Sequence, residues 1–187
     1  MRVTALGRPE LGITRTRADG AFDFAVNGCE RTTLRFVLAG HVEVQRAVEA
    51  TFLDFTTLDE VVLTPLDTRV TEINLPPATL QVAESSRISD DDGPREAHVL
   101  FPSGTTAELV FADGSTQPLS TAHVRATELT VGPRGPAAMP GLLPTQTAYT
   151  YAVELSVDEA LEADAVEVRF SSPVWLHVDN FLGFPAG

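Results

Sequence analysis

The stretch Thr14-Arg15-Thr16-Arg17-Ala18-Asp19-Gly20-Ala21-Phe22-Asp23-Phe24-Ala25-Val26 decides the fold class. Its second half alternates with a period of two, so Phe22, Phe24 and Val26 share one face. Asp19-Gly20 is a strong hairpin signal between the two halves. Reading outward, Asn27-Gly28 marks the next turn, followed by an alternating run at Thr33–Leu38. Gly40-His41 breaks to Val42–Val48, and Asp59–Leu66 closes the series. Turn signals at roughly 8–12-residue spacing are those of an all-β sandwich.

Between Asp67 and Pro77 the character shifts, and Pro76-Pro77 cannot lie inside a central strand. A module junction is therefore expected there. Beyond it, strands are expected at Thr79–Val82, Ala97–Phe101, Thr106–Phe111, His123–Thr127, Ala148–Leu155, Val166–Phe170 and Val174–Val178. Asp91-Asp92-Gly93-Pro94, Pro102-Ser103-Gly104 and Asp113-Gly114-Ser115 supply turns. Gly132-Pro133-Arg134-Gly135-Pro136 with Met139-Pro140-Gly141 reads as a rigid loop. Helix is expected only at Val157–Ala163, with Ser156 as N-cap. The reading is all-β: two β-sandwich modules at residues 1–70 and 76–187, with very little helix.

Composition is consistent with this. A chain of 187 residues can bury a sizeable core without disulfides or metals. Its 43% hydrophobic content argues against disorder, and 13 Gly with 13 Pro suit many short strands. The formal net charge is −13, and all 13 basic residues are scattered arginines, which excludes nucleic acid as a natural partner. No apolar run reaches the ~18 residues of a membrane helix, so no membrane insertion is expected. Met1–Leu6 lacks the basic start and apolar stretch of a signal peptide. Cys29 is the only cysteine, so no intrachain disulfide can form.

Reactive constellations are missing from the local sequence. His41, His98, His123 and His177 show no compact zinc-motif spacing, and isolated surface histidines are the simpler reading. Asp90-Asp91-Asp92-Gly93 lacks the alternate spacing and distal Glu of a calcium loop. Cys29 sits in a turn without a neighbouring His. There is no Gly-x-Ser-x-Gly elbow, and a phosphate loop needing Lys is impossible. No enzyme, no cofactor and no metal is expected. A metal-dependent enzyme would require at least three of the four histidines and nearby carboxylates to converge. The unusual stretch is Val174–Pro185, where Trp175, Phe181, Leu182 and Phe184 are the candidate contacts with a partner or an adjoining domain.

Two stretches carry a family resemblance. Gly12-Ile13-Thr14-Arg15-Thr16-Arg17-Ala18-Asp19-Gly20-Ala21-Phe22, within Leu11–Asp67, resembles the Thr-x-x-Asp-Gly-x-Phe pattern of carboxypeptidase-regulatory, transthyretin-like modules. Gly40-His41-Val42 stands where such modules often carry Gly-Tyr. Tyr149–Ala160 through Asn180–Pro185 resembles the region ahead of the repeats in bacterial Rhs/YD-repeat, teneurin-like proteins. The resemblance implies a transthyretin-like module lacking its first strand, then an immunoglobulin-like one, together bracing or plugging the shell of a larger secreted protein. It implies adjoining domains as partners and an extracellular or cell-surface location. The alternative is a free-standing extracellular module that binds a glycan or a surface protein.

Overall fold

In the computed structural model, which describes residues 1–91, 93–129, 135–141, 151–181 and 183, an antiparallel sheet assembles around Val3, Ala5, Leu34, Phe36 and Val44. Its strands are β1 (Arg2–Ala5), β2 (Ile13–Arg15), β3 (Arg31–Val37) and β4 (Val44–Glu49), in the order β2-β1-β3-β4. Alternation does the sorting: along β3, Thr32, Leu34 and Phe36 are buried while Arg31, Thr33 and Arg35 are not. β1 pairs on both sides, so β2 and β4 form the edges.

The segment Phe22–Val26, expected as a strand, joins no ladder. Its side chains still reach the core: Phe22 meets Phe36 edge-on at 5.6 Å, and Phe24 packs on the same cluster. Val61 and Leu63, in the expected Asp59–Leu66 strand, behave alike. There the backbone bonds singly instead, from Val42 N to Thr64 O and from Leu66 N to Gly40 O, both 2.8 Å. Apolar alternation thus covers the sheet without making a second one in these segments.

The chain folds as two compact units, Met1–Leu66 with Leu129–Tyr151, and Asp67–Glu128 with Ala152–Gly187. From sequence, Leu129–Tyr151 is expected in a second module spanning 76–187; in the fold it belongs with the first unit. The described part of that excursion holds α1 (Gly135–Ala138), one turn where a rigid loop is expected. Residues Gly132–Arg134 of that expected loop lie outside the described residues. The excursion is tied to the first unit by Gln45 N to Pro140 O at 2.6 Å and Val62 N to Ala137 O at 3.2 Å. Arg46, almost fully buried, donates to Gln45 O and Ala137 O at 2.8 and 2.9 Å.

The second unit contains β5 (Thr71–Asn74), β6 (Gln81–Glu84), β7 (Ile88–Asp90), β8 (Gly93–Arg95), β9 (Ala97–Phe101), β10 (Ala107–Val110), β11 (Thr116–Leu119), β12 (Thr121–Glu128), β13 (Val153–Val157), α2 (Asp158–Glu162), β14 (Glu167–Phe170) and β15 (Trp175–Val178). Among the described residues these form three-stranded sheets β13-β12-β5, β15-β9-β6 and β11-β10-β14, plus the hairpin β7-β8. Every pairing is antiparallel, and the class is all-β and sandwich-like. Ile73, Val99, Phe101, Leu109, Ala122 and Val124 are among its buried core, with Phe101 edge-on to Phe170 at 5.7 Å.

The unit begins at Asp67, ahead of the double proline. The Asp67 carboxylate accepts from Ser86 N and Ser86 Oγ, both 2.6 Å, and from Arg69 N at 2.8 Å. Its own amide donates to Thr127 Oγ1 at 2.9 Å, and its carbonyl accepts from Arg125 at 2.6 Å. Pro77 is buried and its carbonyl accepts from Gly104 N at 2.9 Å, so the Pro76-Pro77 pair lies within the unit. β13 runs Val153–Val157, and residues 148–150 of the expected strand lie outside the described residues.

Candidate interaction surfaces

Ladder register decides which side chains leave the second unit through the β15-β9-β6 sheet. Ala97, Val99 and Phe101 alternate inward along β9, leaving His98 and Leu100 on the other face. Trp175 stands opposite Leu100, and Leu100 opposite Val82, giving an apolar row across three strands. His177 stands opposite His98, and His98 opposite Glu84, giving a polar row on the same face. Trp175 is 56% exposed, a large apolar area for a side chain on a folded sheet.

The four contact residues named from sequence have different fates. Trp175 is exposed on the outer face of β15. Phe181 is half-buried, with the Arg95 guanidinium 5.1 Å from its ring centroid. Leu182 and Phe184 lie outside the described residues.

On the first unit, a closed loop presents a second apolar surface that sequence reasoning missed. Thr51 N donates to Thr56 Oγ1 at 3.0 Å across its neck, and Cys29 N to Ala50 O at 2.7 Å anchors its base. Its tip exposes Phe52, Leu53 and Phe55, the last two at 90% and 94%. Leu53 takes φ 53°, in the left-handed region. The available signal was Phe52-Leu53-Asp54-Phe55: apolar residues in a row without alternation, directly after a strand.

The four histidines do not form one cluster. His41 Nδ1 sits 3.1 Å from Ala39 O. His123 pairs with Glu159, Nδ1 to Oε1 at 2.6 Å, and its amide donates to Oε2 at 3.0 Å. The hydrogen bond to Glu159 raises the His123 pKa above its ordinary value. Burial works upward on the Glu159 carboxyl, but the His123 ring and amide outweigh it and leave that carboxyl below its ordinary value. His98 and His177 come together, which their sequence spacing could not show. Asp90, from the acidic run, makes two bonds to Arg95 at 2.6 and 2.7 Å; Asp92 lies outside the described residues. Cys29 is exposed at φ 61°.

A pocket of about 270 Å³ lies inside the second unit, lined by Val99, Phe101, Val124, Leu155, Leu161 and Phe170 among others. Glu154 and Glu167 are the charged residues of its lining. Its walls are chiefly apolar, which suits packing or an apolar ligand better than acid–base chemistry.

An all-β scaffold with apolar surfaces at a loop tip and on a sheet face defines a structural and interaction module. Residues 1–63 match the family model of the teneurin TTR-like domain, so this part of the chain is a transthyretin-like module, as its Asp-Gly-x-Phe stretch implies. No curated protein and no solved structure matches the chain.

Proposed function

We propose that the chain is a non-catalytic module of a secreted Rhs/YD-repeat-type protein. Its transthyretin-like part is followed by an immunoglobulin-like part, and the two brace or plug the neighbouring shell. The observation carrying this reading is the match of residues 1–63 to the teneurin TTR-like domain. Trp175 on its apolar row, and Phe52, Leu53 and Phe55 at the loop tip, are surfaces suited to adjoining domains rather than to water. Phe181 serves locally, under Arg95. The test is to isolate the natural gene product and measure its mass and its cross-links. A long product carrying YD repeats, with cross-links from β15 to them, is expected. A secreted product no longer than this chain overturns the reading.

Trp175 also favours a second reading, a free-standing extracellular module that stacks a sugar ring on its indole. Glycan-array binding that disappears in Trp175→Ala is the result that would select it.

A further inference from the structure

Glu84, His98 and His177 stand side by side on three adjacent strands, each directly opposite the next in the ladder. Glu96 joins them from the residue before β9. One ligand atom each from Glu84, Glu96 and His98 all lie within 4.8 Å of one another. His98 Nδ1 stands 3.7 Å from Glu84 Oε1. The ring of His177 lies beside that of His98, with centroids 6.0 Å apart and planes inclined at 35°.

We propose that these four side chains form a binding site for one zinc ion on the β15-β9-β6 sheet. The ligand chemistry selects the metal. Imidazole nitrogens combined with carboxylate oxygens suit zinc at about 2.0–2.2 Å, whereas calcium and magnesium prefer oxygen throughout. The ladder fixes the backbones of Glu84, His98 and His177. Side-chain rotation would draw the ligand atoms in, His177 turning farthest because it is not among the three whose ligand atoms already lie within 4.8 Å of one another. A net charge of −13 favours capture of a cation.

Arg69 both helps and opposes the site. Its guanidinium bonds to Glu84 and, at 2.6 Å, to Glu96, and it donates to Ser85 O at 3.0 Å. These bonds use one oxygen of each carboxylate and aim the pair toward His98. As a fixed positive charge beside the metal, Arg69 also lowers affinity. A bound ion would tie the edge strand β15 to β9 and β6 through side chains, in addition to the backbone ladder. That strand carries Trp175, so zinc would hold the apolar row in place.

The experiment is calorimetric titration of the whole chain, stripped by a chelator, with zinc chloride alone. One zinc per chain is expected, with affinity falling at least 100-fold in His98→Ala and at least 10-fold in His177→Ala. Arg69→Gln should bind more tightly, a gain that no folding defect can imitate. His41→Ala should bind as the parent does. With cobalt in place of zinc, visible absorption of a four-coordinate ion should appear and vanish in His98→Ala. Absence of saturable zinc uptake, or uptake unaltered in His98→Ala, overturns the site; so does equal loss in His41→Ala.

Discussion

Arg95 Nε donates to Glu128 Oε1 across 2.5 Å, with the two side chains only 2% and 4% exposed. The hydrogen bonds to Asp90 do most to raise the Arg95 pKa, burial opposes them, and the hydrogen bond to Glu128 adds to the rise. The guanidinium stays charged and fully paired, and its face still covers Phe181. Removing it leaves Glu128 as an unpaired buried carboxylate. Arg95→Ala should therefore cost about 3–5 kcal/mol in urea unfolding. Arg95→Met combined with Glu128→Met should recover most of that loss, because an apolar pair needs no compensation. A single-variant cost below ~1 kcal/mol would show that water reaches Glu128.

Gly28 carries the loop above it. A Cβ at this position would stand 2.7 Å from Phe52 Cα, a backbone atom that no rotamer change can move aside. Gly28→Ala should cost about 1–3 kcal/mol and displace the Phe52–Phe55 tip. Thermal unfolding reads the first effect, and hydrogen exchange at Leu53–Thr56 reads the second.

Trp175 is exposed and adds little to the fold. Trp175→Ser should change unfolding free energy by no more than about 0.5 kcal/mol, as expected of an exposed position. In the longer parent proposed above, the same change should loosen association of this module with its neighbours. Limited proteolysis of the parent and of the isolated chain separates the two effects.

Arg46 is a buried cation bonded to two carbonyls, and burial lowers its pKa from the ordinary arginine value. Its bond to Ala137 O reaches into the 135–141 segment. Arg46→Met keeps the length and removes the donors, at an expected cost of about 1.5–3 kcal/mol per charge-assisted bond lost. Protease cleavage within residues 135–141 should accelerate as well. Unchanged cleavage would mean that the backbone bond from Gln45 N to Pro140 O suffices.

The His123–Glu159 pair sets opposite pH limits. His123 titrates above its ordinary 6.5, so its contribution is complete below that value and is lost as pH rises through the raised one. Glu159 and Asp67 titrate below their ordinary 4.5 and 3.8. For Asp67, burial pushes upward, but the hydrogen bonds from Ser86 and Arg69 prevail. These two contributions are present above the ordinary values and are lost as pH falls through the lowered ones. Urea midpoints across pH 3–9 should show a plateau in the weakly acidic range with losses on both sides. His123→Ala should abolish the alkaline loss and keep the Asp67 share of the acidic one.

Local patterning made part of this architecture readable. Ala97–Phe101 alternates so cleanly that β9 falls on its expected bounds, and α2 forms among the early acidic residues Asp158 and Glu159. Ser156, expected as its N-cap, instead ends up inside β13, and Val157 stands at the N-cap without a side-chain bond. Phe22 and Phe24 were legible as core residues, but whether their backbone joins a ladder depends on partners that one strand cannot specify. β11 was missed because Pro118 interrupts its pattern, which an edge position tolerates. β5 was hidden in what reads as a junction, because the double proline follows it directly. The pairing of His98 with His177 arises from the register of β15 on β9, a long-range property with no local trace. Phe55 sits at a loop tip, where an apolar residue reads as core until its exposure is known.

The excursion through Leu129–Tyr151 has a consequence for synthesis on the ribosome. Domains usually complete in the order in which they are made. Here the first unit starts at Met1 but lacks its bonds to Ala137 and Pro140 until that segment has left the exit tunnel. By then β5 through β12 have already emerged. The nascent protein therefore holds two unfinished bodies at once, with the Arg46 guanidinium and the amides of Gln45 and Val62 waiting for carbonyls translated after most of the other unit.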